Sequence, residues 1–253
     1  MKNICYFFVL IVINISILPA YEYNSDVQPE VWEQLEPFFL PSKHPAKAKL
    51  DKIFKRKRVV ASRDSLIQAG FNINSPMHPE NLLVGSHPKL KGYLIKTYID
   101  SQDVCEWENF SRRIRGSNAI KENIVKHNFQ KYFKVPHKWI YPLPINRGYL
   151  PGPNVYRKNF ILVVEDMNIL SHHKNKKAYL QIKKPMLDAL YTVITEAGLI
   201  DSVFRGNVPF NAYEQMNFID TEHFNLLPIP YHMLNRYLSP EMQTYWKSIT
   251  DQP

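Results

Sequence analysis

The stretch from Asp201 to Glu222 constrains this chain most, because two acids and an amide bracket two short apolar runs there. Asp201 stands just past the end of a helix-forming stretch, and Asn207 follows it. Val208 to Phe210 form the first apolar run, a turn intervenes, and Met216 to Ile219 lead into Asp220. The pattern reads as a loop, a strand, a turn and a second strand ending in a carboxylate. As a hairpin it holds an amide and a carboxylate side by side, both oxygen donors of the kind that suits Mg²⁺. Taken alone, the stretch also reads as an ordinary β-hairpin with polar ends.

With 253 residues, 45% of them hydrophobic, the chain can bury a core as one domain or as two closely packed lobes. Nineteen prolines against eight glycines predict rigid, ordered loops. The net charge of +9 is compatible with anionic ligands, nucleotides and phospholipid surfaces among them, and equally with plain solvated faces. The first twenty residues read as a signal peptide. Lys2 precedes an apolar run from Ile4 to Leu18, and Pro19-Ala20 follows. Export to a periplasm, a cell surface or the medium is therefore expected. Leu18 is large for its place before a cleavage site, so an uncleaved anchor or a buried helix stays open as an alternative. Cys5 lies inside this segment, so a processed chain keeps only Cys105 and has no internal disulfide.

Residues 21–80 read as an N-terminal helical extension. Val31, Trp32 and Leu35 share one face of a short helix that Pro37 ends. Ala46 to Arg58 reads as a helix with Leu50, Ile53 and Phe54 on its core face. Five of the seven residues from Lys52 to Arg58 are basic, which makes Lys47–Arg58 either a solvated face or a surface for an anionic membrane or partner. Two strands are expected at 81–84 and 92–99. Lys96 falls within the second, which suits either an edge strand or an ammonium with an anionic partner. Glu106 to Phe133 reads as two helices separated at Gly116, with Glu122 close to the apolar stripe of the second. A short strand is expected within 135–143. Phe160 to Val164 reads as a central strand running into Glu165-Asp166-Met167-Asn168. Pro185 suits the first turn of a helix carrying Leu187, Leu190 and Ile194, which Gly198 stops. His172, His173, His223 and His232 show no metal-type spacing and read as incidental.

The order of these parts resembles the protein-kinase-like fold over roughly residues 81–222. A strand with a mid-strand lysine comes first, then a helix with a glutamate, then an apolar strand with an acidic linker. A long helix, an Asp/Asn loop and a hairpin ending Ile-Asp-Thr-Glu complete the set. The resemblance implies an α+β, two-lobed architecture with a small N-terminal sheet and a truncated, mainly helical C-terminal lobe. Residues 81–168 would form the first lobe and hinge, and 169–253 the second. It also implies ATP and Mg²⁺ as ligands. Lys96 would contact the nucleotide's α- and β-phosphates, with Glu122 as its helix partner, and Glu165 and Met167 would lie in the hinge against which adenine packs. Asn207 and Asp220, thirteen residues apart, would hold Mg²⁺. Asp201 would orient the acceptor hydroxyl and take its proton.

The chain departs from the family's pattern in four places. Asp201 lies six residues before Asn207 where the family has five, and Ser202 occupies the expected place. No Gly-x-Gly-x-x-Gly precedes Lys96, Leu199-Ile200-Asp201 stands where His-Arg-Asp would, and Glu222 replaces the glycine after the metal-binding acid. Three functions remain open: an active phosphotransferase acting on a protein or small-molecule hydroxyl, a pseudokinase or other binding module, and an envelope- or membrane-surface protein working through Lys47–Arg58. Nucleic-acid binding is not favoured, because the aromatics sit at core spacing instead of alternating with basic residues. The Gly-x-Ser-x-Gly and His-Glu-x-x-His signatures of hydrolases are missing.

Overall fold

A computed structural model describes residues 21–55, 57–73, 82–145, 152 and 155–251; the expected leader at 1–20 lies outside them. The chain is a mixed α+β structure built around a small antiparallel sheet. Five strands make that sheet: β1 (Asn72–Ile73), β2 (Leu83–Ser86), β3 (Tyr93–Thr97), β5 (Lys138–Pro142) and β6 (Phe160–Glu165). Their spatial order is β1-β2-β3-β6-β5. β3 is therefore the middle strand, so Lys96 is not an edge lysine. It lies opposite Val84 on one side and Leu162 on the other. Phe160 to Val164 are all buried, as expected of an interior strand covered on both faces.

The described part of the expected N-terminal extension, residues 21–55 and 57–73, packs on the sheet. It holds α1 (Pro29–Leu35), α2 (Lys47–Phe54) and α3 (Arg63–Gln68), and β1 joins the sheet. Leu50, Phe54, Val59 and Leu66 share one apolar cluster with Ile95, Ile161 and Val163. Trp32 and Leu35 join Phe110, Ile114, Phe160 and Leu162 in a second. The basic segment is also partly neutralised. Lys47 pairs with Asp51 at 2.8 Å, and the buried Arg58 pairs with Asp100 at 2.6 Å. Lys52, Lys55 and Lys57 remain exposed.

The expected break at Gly116 is absent. One helix, α4 (Glu106–Lys126), runs through it for 21 residues, a rod about 30 Å long. Gly116 is present for a different reason. A Cβ there would come within 1.9 Å of the Thr221 carbonyl oxygen, so the glycine lets the 220–222 segment lie directly on the helix.

Beyond β6 the chain is mainly helical, with α5 (His172–Leu180), α6 (Lys184–Glu196) and α7 (Pro240–Thr250). Leu187, Leu190, Val193 and Ile194 form the buried face of α6 and enter a third cluster with Phe133, Val208, Met216, Phe218 and Trp246. Gly198, at φ +58°, ends the run in the left-handed region that an L side chain resists. The predicted hairpin closes through Ile219 N to Asn207 O (3.0 Å) and Asn217 N to Pro209 O (2.8 Å). Its second arm, β7 (Met216–Asn217), also pairs in parallel with β4 (Phe133–Lys134), which ties the hairpin to the end of α4. Among the described residues no helix is long and apolar enough to cross a membrane.

Candidate functional site

Four segments distant in sequence meet beneath the middle of the sheet. From β3, the Lys96 ammonium donates to the Ile219 carbonyl at 3.2 Å, one residue before Asp220. From β5, the Lys138 ammonium donates to the Thr221 hydroxyl, which in turn donates to the Arg113 carbonyl at 2.6 Å. From α4, the two terminal nitrogens of the Arg113 guanidinium bind the carboxylates of Asp220 and Glu222 separately. From the loop after α6, the Asp201 Oδ2 lies 3.0 Å from His223 Nδ1. The close packing at Gly116 seats the Asp220–Glu222 segment where all of these can reach it.

The electrostatics follow from burial. Lys96 is almost wholly out of water, and this desolvation, reinforced by the Arg113 charge, brings its pKa down to about 8 against the pull of Asp220 and Glu222. Lys138 is pushed well below the ordinary lysine value by burial and by the charges of Lys96 and Arg113. Burial would raise the Asp220 carboxyl, but Arg113, Lys96 and Lys138 together hold it below the usual range. Asp201 goes the other way. Burial and the nearby Asp220 charge raise it, and the His223 contact offsets part of that rise. Three cations thus face the Asp220 and Glu222 carboxylates, and both ammoniums donate to neutral oxygens. Lys96, Lys138 and Arg113 therefore stand against Asp201, Asp220 and Glu222, three basic groups against three acids in a desolvated place.

Of the residues singled out in the sequence, Lys96, Asp201, Asn207 and Asp220 are brought together. The Asn207 side-chain amide nitrogen donates to the Asp201 carbonyl at 3.0 Å, and the Asn207 backbone carbonyl accepts from the Ile219 amide at 3.0 Å. Glu122 is not brought in. It is exposed, and nine residues from Arg113 amount to two and a half helical turns, so the two lie on opposite faces of α4. The helix residue facing Lys96 is Arg113. Glu165 ends β6 and accepts from the His137 amide at 3.0 Å, while Met167 is half-buried just beyond it.

Arg113, Lys138 and His223 escaped the sequence reading, which set His223 aside as incidental. A signal for Arg113 existed: it falls in register with Phe110, Ser117, Ile120 and Ile124, the buried stripe of α4. A charged residue in such a stripe needs a partner. Gly85 of β2 packs against Phe71, Ile73 and Ile95 and so serves the core, not a phosphate-covering loop.

The donors present fit Mg²⁺ as part of a phosphate complex. Mg²⁺ takes one or two protein oxygens and completes its octahedron with water and substrate phosphates. Asp220 keeps Oδ2 after Arg113 takes Oδ1, and the amide of Asn207, its nitrogen spent on Asp201, has an oxygen to offer. Among the described residues no three His, Cys, Asp or Glu side chains gather into a group that could hold a metal ion. A hollow of about 690 Å³ lies elsewhere, against α5 and the tip of the hairpin. No protein-family model matches the chain, and no curated protein matches it significantly.

Proposed function

We propose that this chain is an exported, protein-kinase-like phosphotransferase that binds ATP with Mg²⁺ and passes the γ-phosphate to a hydroxyl of a protein or small molecule. The observation that carries the reading is the meeting of Lys96 with Asp220, Asn207 and Asp201, residues from the early sheet and the late hairpin. Phosphoryl transfer asks little covalent chemistry of a protein; positioned charge does most of the work. Lys96, which keeps its proton below about 8, is a desolvated cation suited to phosphate oxygens. Asn207 and Asp220 would hold the Mg²⁺, which supplies charge neutralisation on the phosphates when bound. Asp201, raised above an ordinary carboxylate, would accept a hydroxyl proton. A sheet with its interior lysine strand, the α4 crossover and a helical second half are consistent with the two-lobed architecture the resemblance implies.

A second reading, nucleotide binding without transfer, is favoured by one observation. Arg113 occupies the helix face toward Lys96 and holds both Asp220 and Glu222, where the resemblance calls for a glutamate that pairs with the lysine. The exposed Lys52, Lys55 and Lys57 leave room for a secondary contact with an anionic membrane.

Thermal melting with and without ATP–Mg²⁺ tests both readings at once. At about 100-fold its Kd, a ligand selective for the folded state adds about 2.7 kcal/mol of stability. Lys96→Met should keep the fold, since it replaces a desolvated ammonium with an apolar chain of like size, and should abolish most of that shift. An unshifted wild-type melt removes nucleotide from the reading. The pH dependence has a defined sign. Lys96 loses its proton above about 8, so ATP affinity should fall as pH rises past that value. Without nucleotide, the Lys96 contribution to stability rises between about 8 and the ordinary 10.5, because the unfolded chain binds the additional proton there. Isothermal titration from pH 7 to 9.5 in the same salt reads the first effect.

A further inference from the structure

We propose that the hollow beside α5 is a docking groove for an acidic peptide segment of a partner protein, one that carries apolar anchor residues. The groove measures about 690 Å³, within the range of ligand sites. Its floor is apolar, with Leu170, Ile182, Met186 and Phe210 among the lining residues. Its rim is basic, formed by the exposed Lys174, Lys177 and Lys183, with Glu214 as the acid at the hairpin tip.

Charge complementarity selects the occupant. From Met167 to Leu187 the chain contains five lysines and no acidic residue. Lys174 and Lys177 are three residues apart on α5 and so share a face. Lys174, Lys177 and Lys183 have no ion-pair partner among the described residues. A single carboxylate head, as on a fatty acid, answers one such cation. Three spaced cations above a floor of separate apolar side chains answer a chain that alternates acids with apolar anchors. Electrostatic complementarity of this kind speeds encounter and rejects basic competitors. The groove shares the hairpin with the candidate site, since Phe210, Asn211 and Glu214 line it and Asn207 and Asp220 lie on the arms. Its occupation does not depend on nucleotide.

The test is selection from a displayed library of short random peptides against the full chain without ATP. Selected peptides are synthesised, and their binding is followed by fluorescence anisotropy. Enrichment of Asp and Glu interleaved with Leu, Ile or Phe is expected, with affinity that falls as salt rises. The triple variant K174E/K177E/K183E changes exposed residues and should melt like the wild type. It should weaken the selected peptide at least about tenfold, a change of about 1.4 kcal/mol. Met186→Gln, which alters the floor and no charge, should weaken it as well. Selection of basic or uncharged peptides, or binding that survives the triple reversal, overturns the proposal. Dodecanoate displacing the peptide and itself binding the reversed variant less well would assign the groove to a lipid carboxylate, and that outcome overturns it too. A failure of ATP binding leaves every one of these measurements unaffected.

Discussion

Gly116→Ala should destabilise the folded chain by about 3 kcal/mol, although the same change within a helix ordinarily stabilises by close to 1 kcal/mol. The usual gain reflects the entropy that glycine loses when it is fixed in a helix. At this position a methyl group would come within 1.9 Å of the Thr221 carbonyl oxygen and 2.9 Å of the Phe224 ring. The ring can shift. The carbonyl cannot easily do so, because the Thr221 hydroxyl is bonded to the Arg113 carbonyl and Arg113 holds the carboxylates on either side of Thr221. The strain therefore falls on the segment that carries Asp220. For a chain of this size each kcal/mol moves the melting temperature by about 2–4 °C, so a fall of several degrees is expected. Nucleotide binding should weaken more than the lost stability explains, since the displaced backbone is the part that faces Lys96. A melt at or above the wild-type value would show that α4 and the Asp220–Glu222 segment are not packed as described.

That contact also shows where the sequence was readable and where it was not. Gly116 looked like a helix break because glycine is a poor helix former, and local propensity was the information to hand. What retains it is a backbone passing at close range from more than a hundred residues away. The strands at Lys96 and Phe160–Val164, the helix before Gly198 and the hairpin around Asn207 and Asp220 were legible because each depends on its own residues. Period, turn chemistry and caps are local properties. Glu122 has a charge close to an apolar stripe, but helix phase puts it on the outer face, while Arg113 falls within the buried stripe itself. Lys138 carried little signal, since one lysine at the start of a short strand gives no indication of what lies across from it. His223 is separated from Asp201 by the whole hairpin, and its pairing exists only once that hairpin has closed.

Asp201→Asn should lower the rate of phosphoryl transfer by about 10²–10⁴ while leaving ATP affinity nearly unchanged. The substitution preserves shape and removes the ability to accept a proton. On the proposed function, several features favour Asp201 for this role over Ser202, which occupies the position the resemblance expects. Asp201 lies close enough to Asp220 for that charge to raise its pKa. Its Oδ1 is buried with no hydrogen-bond partner, while Oδ2 meets His223, so one oxygen is uncommitted and the other orients the carboxylate. The loop is closed on itself by Phe204 and Asn207, which both donate to the Asp201 carbonyl and so place the side chain relative to the Asn207 amide. Ser202 is buried, and a serine hydroxyl is no base near neutral pH. The wild-type rate should therefore climb with pH through a limb displaced above the ordinary carboxylate range, as Asp201 loses its proton. It should fall again above about 8 as Lys96 loses its own. In Asp201→Asn the acid limb should vanish and the alkaline limb remain. A variant that transfers phosphate as fast as the wild type would place the base elsewhere. A wild type that binds ATP but transfers nothing would assign the Arg113 cluster to holding a nucleotide instead of spending it.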